Sequence, residues 1–313
     1  MTQPPITRAS IDAAAELIRP FIRETPIIEI AASDIGLDGA PIIFKLEFMQ
    51  RSGTFKARGA FYNLLTRGGP GQGVVAASGG NHGAAVAYAA QKLDRPAHIF
   101  VPSISSPAKI AKIKAAGAEV HVGGAVYAEA LRISEDWIAR TGDMPVHAYD
   151  QPETLIGQGT VAAELRRQAP EAETLLVSVG GGGLIGGIAA YYRNDIKVIG
   201  VEPERAPTLR RALDAGAPLD VAVSGLAADS LGAARLGGNV YPIVREFLAD
   251  ALLVTDDEIR AAQRALWDTL RVVVEPGGAA AFAALLSGRY RPGASERVAV
   301  LLCGANTTAV DFG

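Results

Sequence analysis

The stretch TLLVSVGGGGLIGGIAAYYRNDIKVIGVE, residues 174–202, decides the fold. An apolar run of strand length (174–179) enters four consecutive glycines, Gly180, Gly181, Gly182 and Gly183. A small-residue apolar segment running to Arg193 then reads as a helix, and KVIGVE (197–202) as the next strand. Strand, tight turn, helix and strand in that order make a right-handed βαβ unit of a parallel sheet. Four glycines in a row cost too much chain entropy to be filler. Amides converging at a helix N-terminus suit a bound phosphate. Two occupants stay open from this stretch alone. Gly181, Gly183 and Gly186 fit G-x-G-x-x-G, and Glu202 ends the following strand, which together make the dinucleotide pattern with an acid for a ribose. The other occupant is a smaller phosphate ligand.

Working outward, the same alternation recurs. IIFKL (42–46), GVVAAS (73–78), AHIFVP (97–102), AEVHV (118–122), ADALLV (249–254) and RVAVLLC (297–303) read as strands. Helical segments lie between them at about 54–67, 107–116, 126–140, 256–270 and after Pro276, with a further amphipathic helix at 10–21. The expected fold class is α/β, with doubly wound, mostly parallel sheets. The polar, proline-containing stretch 149–158 reads as a crossing between domains. The chain has 313 residues, 49% of them apolar, and 30 basic against 33 acidic side chains give a net charge of −3. That balance argues against nucleic acid as a partner. No run of 18 apolar residues argues for a membrane span, and the N-terminus lacks a signal-peptide pattern. The single cysteine, Cys303, excludes an internal disulfide and fits a reducing cytoplasm.

Two further strand ends carry chemistry. SGGNHG (78–83) follows a strand and opens a helix, a setting for a small anion such as a carboxylate. Asn81 and His82 add side-chain donors there. LLCGANT (301–307) ends the last strand with Cys303, either a buried small hydrophobe or a weak S–H donor. The third feature is RSGTFKARGA (51–60). Ser52 or Thr54 can cap a helix whose first turn contains Lys56, a position where a cation meets the positive end of the dipole. Lys56 either points into water or is a neutral or covalently bound amine.

Taken in order, KLEFMQRSGTFKARGA (45–60), ASGGNHG (77–83), IGQGT (156–160), GGGGLIGGIA (180–189), VTDDEI (254–259), EPGGAA (275–280) and CGAN (303–306) resemble the serine/threonine dehydratase and serine racemase family of pyridoxal 5′-phosphate enzymes. The resemblance covers nearly the whole chain. It implies fold type II: a large cofactor-binding domain (1–70 and 149–313), a small mobile domain (71–148), and the cofactor in the cleft between them. It implies Lys56 as the Schiff-base lysine, Phe55 beside the ring and Asn81 on the ring hydroxyl. Gly180, Gly181, Gly182, Gly183 and Leu184 would hold the phosphate, and Cys303 would face the pyridine nitrogen in place of the family's usual serine. Ser78, Gly79, Gly80, Asn81 and His82 would bind the substrate carboxylate. The family's cation ligands fall on Glu202, Ala206 and Thr208, with threonine in place of an acid, so a divalent or monovalent cation does not carry over whole.

The activity implied is an L-threonine/L-serine dehydratase. Gly79 lacks the serine that racemases use as their opposite-face acid/base, which sets racemisation second. A dehydratase for another β-hydroxy amino acid, a hydroxyaspartate or an ectoine-pathway intermediate, is the alternative within the family. A dinucleotide oxidoreductase is the alternative outside it, and a non-enzymatic amino-acid-binding module would have no need of Lys56. A small-molecule substrate and a homodimer are expected. The sequence stops soon after CGAN, so isoleucine feedback through a regulatory domain is not expected.

Overall fold

The structure is a computed structural model that describes residues 4–105, 107–307 and 309–310. Two sheets organise it. The larger is six-stranded, built from β1 (Ile27–Ile30), β2 (Ile42–Lys45), β7 (Thr174–Ser178), β8 (Lys197–Pro203), β9 (Asp250–Val254) and β10 (Val298–Leu301), in the order β1-β2-β10-β7-β8-β9. The smaller is four-stranded, built from β3 (Val74–Ala77), β4 (Ala97–Val101), β5 (Glu119–Val122) and β6 (Met144–Pro145), in the order β5-β4-β3-β6. Every pairing is parallel except β1 with β2. The doubly wound, mostly parallel α/β reading therefore holds.

The larger sheet is covered on both faces, which explains why its strands read as apolar runs rather than alternating ones. On one face the helices Arg8–Ile18, Pro152–Gln168 and Gly183–Tyr192 pack around Ile156, Leu175, Val177 and Ile188. On the other, Asp256–Leu270 and Pro276–Leu286 pack around Phe44, Leu176, Ile199 and Phe282. A third core lies under the smaller sheet, around Phe61, Val86, Ile99 and Ile113.

The stretch 149–158, expected to cross between domains, is helical from Pro152 onward. Residues 152–158 are the first two turns of the helix Pro152–Gln168, buried through Leu165. Its glycines exist for close approach. A Cβ on Gly157 would lie 2.7 Å from Gly59 Cα, and one on Gly187 would lie 2.2 Å from the Leu155 carbonyl oxygen. Backbone thus packs on backbone between the helix Lys56–Thr66, this helix and Gly183–Tyr192. The helix that begins at Lys56 is held rigidly as a result.

Candidate active site

The loops after β2, β3, β7 and β10 open toward one another, as strand ends do in open α/β sheets. After β10, the Cys303 carbonyl accepts from Phe55 N at 3.1 Å, and Thr54 bridges to Gly304. These contacts set the start of the helix Lys56–Thr66. Thr54 Oγ1 accepts from Lys56 N at 3.3 Å, while Ser52 takes a left-handed φ of 61° in the preceding turn. Lys56 does not point into open water. Its Nζ donates to the Ala148 carbonyl at 2.6 Å and lies 5.2 Å from the Phe55 ring centroid. Burial pulls its pKa down to about 8, against the opposing pull of Cys303 and Glu275.

Beside Lys56 lies the glycine turn. Gly182 takes φ +91° and caps the helix Gly183–Tyr192. Among the described residues the amides of Gly180, Gly181, Gly182, Gly183 and Leu184 donate no hydrogen bond to the protein. Five free donors at a helix N-terminus fit a phosphate dianion. Tyr149 lies against this turn: a Cβ on Gly181 would meet its ring at 2.3 Å. Phe55, Lys56, Asn81, Tyr149, the glycines, Ser178, Glu275 and Cys303 together line a cavity of about 50 Å³.

Cys303 is buried and donates weakly to the Gly277 carbonyl at 3.5 Å. Burial pushes its thiol up to about 12, so it stays protonated at neutral pH. Asn81 Nδ2 donates to Glu275 Oε1 at 2.7 Å, and its Oδ1 accepts from Asn306 at 2.7 Å. At Asn81 and Glu275 the first cavity meets a second one of about 260 Å³, whose walls include Gly79, Gly80, Ala84, Lys112, Ile113 and Asp229. The amides of Gly79, Asn81 and His82 are free of protein partners among the described residues and face this region as an anion site, while Gly80 N turns back to Ser78 Oγ at 3.3 Å.

The structure brings together the lysine, both glycine turns and the cysteine. Two side chains lie elsewhere than the sequence reading put them. The His82 ring is buried and its Nε2 donates to the Val146 carbonyl at 2.8 Å, so its backbone amide, not its side chain, faces the anion site. Burial and the nearby Lys56 push that imidazole down to about 3, so it stays neutral. Glu202 points away from the cleft. Its oxygens accept from Thr208 Oγ1 at 2.9 Å, Leu209 N at 2.7 Å and Arg210 N at 2.8 Å, capping the helix Thr208–Ala215. Burial pushes this carboxyl up to about 7. Thr208 Oγ1 also lies 2.8 Å from the Gly180 carbonyl; its single proton is shared between that oxygen and Glu202, which ties the cap to the glycine turn. The set Glu202, Ala206 and Thr208 does not fit a cation: its one carboxyl is spent on protein donors and its hydroxyl proton points inward. The same capping removes Glu202 as a ribose ligand.

Glu275, Tyr149, Lys112, Asp229 and Ser105 were not singled out by sequence. Glu275 had a signal, since it opens EPGGAA, but a lone acid before a helix reads equally as a cap. Ser105 Oγ lies 2.4 Å from where a Cβ on Gly79 would stand.

A lysine amine with depressed basicity, free amides at a helix N-terminus and a second set of free amides beside an adjoining cavity fit the class of enzymes that use a phosphate-bearing carbonyl cofactor. The family model of pyridoxal-phosphate dependent enzymes matches residues 18–304, and the chain belongs to that family. Its cofactor is pyridoxal 5′-phosphate, and the dinucleotide alternative is overturned. The chain is 38% identical to phenylserine dehydratase of Ralstonia pickettii over 94% of this chain and 91% of that one. It is 36% identical to L-threonine ammonia-lyase of Geobacter sulfurreducens, over 94% of this chain and 74% of that one. The solved structure of maize serine racemase superposes with a TM-score of 0.90 at 30% identity, covering 97% and 94% of the two chains, which makes this fold type II. No helix among the described residues is long and apolar enough to cross a membrane.

Proposed function

We propose that the chain is a dehydratase of L-threonine and L-serine, releasing a 2-oxo acid and ammonia by α,β-elimination. The observation that carries this reading is the placement of Lys56 between the free amides of the glycine turn and the free amides of the 79–82 turn. Bound pyridoxal phosphate supplies the electron sink for the charge left at the α-carbon. Lys56 would hold the cofactor through its Nζ, and the same Nζ, when free, would take the proton from the substrate α-carbon. Its depressed pKa of about 8 suits that role near neutral pH. Residues 180–184 fix the phosphate, and the amides of Gly79, Asn81 and His82 fix the substrate carboxylate. Cys303 stays a thiol and offers the ring nitrogen no strong proton donor. Gly79 brings no hydroxyl to the opposite face, which favours elimination over racemisation.

On this reading residues 71–148 form a small domain that closes over the rest, since the four-stranded sheet carries the 78–82 turn. A cytoplasmic homodimer is part of the same proposal; the single free cysteine fits a reducing compartment.

One observation favours a second reading. The outer cavity, with Ala84 and Ile113 on its wall and Lys112 beside them, exceeds what a methyl group needs. It has room for an aryl or carboxylate β-substituent, and phenylserine dehydratase is among the relatives. A screen of β-hydroxy amino acids for 2-oxo acid release tests both. Threonine and serine turned over with the highest kcat/KM supports the first. A tenfold or greater preference for phenylserine or hydroxyaspartate replaces it with the second.

A further inference from the structure

His98, Glu119, His121 and Asp143 take no part in the site described above. They gather on one face of the smaller sheet. β4 and β5 run parallel, with His98 opposite Glu119 and Phe100 opposite His121. His98 Nδ1 lies 3.2 Å from His121 Nε2 and 3.3 Å from Glu119 Oε2, and His121 Nε2 lies 3.6 Å from Glu119 Oε1. Ligands at about 2.0–2.2 Å from a tetrahedral zinc are separated by roughly 3.3–3.5 Å. The two imidazole nitrogens stand at that spacing from each other and each from a different Glu119 oxygen, and with one donor atom per residue all three lie within 4.8 Å of one another.

Each ring is held. His121 stacks on Phe100 with centroids 4.5 Å apart and planes 12° off parallel. Trp137, from the helix Tyr127–Thr141, lies 4.6 Å from His98 and 4.8 Å from His121. Behind His98, its second nitrogen faces Asp143 Oδ2 at 3.8 Å, and Trp137 Nε1 donates to that same oxygen at 2.8 Å. A carboxylate behind a ligating histidine is the arrangement that orients imidazole toward a metal. Glu119 is exposed, so the fourth position opens to water.

We infer that His98, His121 and Glu119 form a binding site for one divalent transition metal of the zinc class, with Asp143 orienting His98. Two imidazoles and a carboxylate favour zinc, nickel or copper over magnesium or calcium. The bound ion cross-links the edge strand β5 to β4. The Phe100 carbonyl accepts from Ser78 N at 3.0 Å, so the clamp stiffens the strand next to the substrate turn without touching it.

The test titrates chelator-stripped holoenzyme with zinc chloride by calorimetry and reads the zinc edge by X-ray absorption. Expected are one ion per chain with a Kd below about 10 µM, a shell of nitrogen and oxygen with imidazole scattering and no sulfur, and a melting temperature raised by a few degrees at saturation. Glu119→Gln, on an exposed side chain that leaves the fold intact, and Asp143→Asn should each weaken binding about 10–100-fold. His121→Gln should remove it, with turnover of the metal-free enzyme unchanged in all three. No binding below about 100 µM, sulfur in the shell, or affinity unchanged in Glu119→Gln and His121→Gln would overturn the assignment.

Discussion

Lys45 and Lys56 are both withdrawn from solvent, and their surroundings differ in a way that separates structure from chemistry. Lys45 Nζ has three acceptors: Glu164 Oε1 at 2.5 Å, the Thr25 carbonyl at 2.7 Å and Gln168 Oε1 at 2.7 Å. Glu164 in turn accepts from Arg58 at 2.9 Å, and Arg58 makes a two-pronged pair with Glu47 at 2.6 and 2.8 Å. Two cations and two anions are thus enclosed with their donors matched. Burial lowers the Lys45 pKa, but Glu47 and Glu164 pull the other way, and three aligned acceptors hold the ammonium. Lys56 donates to one carbonyl. Its proton is loosely held, and it faces a cavity. On the proposed function the lysine with every proton matched is a structural ion, and the one with a single acceptor is the reagent.

The largest expected effect removes the reagent. Lys56→Ala should abolish 2-oxo acid release, by more than about 10⁴-fold in kcat, and with it the visible absorbance of the bound cofactor. Calorimetric melting of the apoprotein should barely move. Residual turnover above that level breaks the contrast at its functional end.

Next in size is the structural end. Glu164→Gln leaves Lys45 and Arg58 with one carboxylate between them and should lower unfolding free energy by about 3–5 kcal/mol in denaturant titrations. Specific activity per folded chain should stay near wild type. A stable but inactive variant would mean that the network also acts on the chemistry.

A smaller effect probes the cradle. Gly182 sits at φ +91°, where a side chain is strained, and a Cβ there would lie 2.7 Å from Val240 Cγ1. Gly182→Ala should weaken cofactor retention during dialysis about tenfold, following a strain of roughly 1–2 kcal/mol. Full occupancy after dialysis would argue that these amides do not hold the phosphate.

The smallest concerns the opposite face of the site. Gly79 is not in the left-handed region, so a side chain meets no backbone strain, but Ser105 Oγ already fills its space. Gly79→Ser alone should change little. Gly79→Ser with Ser105→Ala should raise D-serine formation relative to pyruvate, read by chiral chromatography. An unchanged ratio in the double variant would mean that a hydroxyl there does not reach the α-carbon.

The same contrast explains what could be read from sequence. Lys56 and the two glycine turns were legible because their signals are local: a cation in a helix's first turn, and glycines where a strand meets a helix. The ion network was not, because Lys45, Glu47, Arg58 and Glu164 come from separate elements and only the fold joins them. Lys45 alone gave a hint, as a charge inside the apolar run IIFKL. The stretch 149–158 read as a crossing between domains because its polar residues and proline look like loop composition, and its glycines carry no packing signal of their own. They serve helix packing instead, with Gly157 against Gly59. The short antiparallel edge β1 left no signal beyond four residues. His82 read as a donor in its loop, but burial turned its ring to Val146.

The most direct test reduces the holoenzyme with borohydride, digests it and locates the phosphopyridoxyl group by mass spectrometry. Labelling at Lys56, with the rate of cofactor uptake by the apoprotein rising as pH climbs through about 8, is what the account requires. The sign follows from the chemistry: only the neutral amine attacks the cofactor's aldehyde, and that form grows above the depressed pKa. Label on Lys45 or on a surface lysine, with Lys56 unmodified, would contradict it.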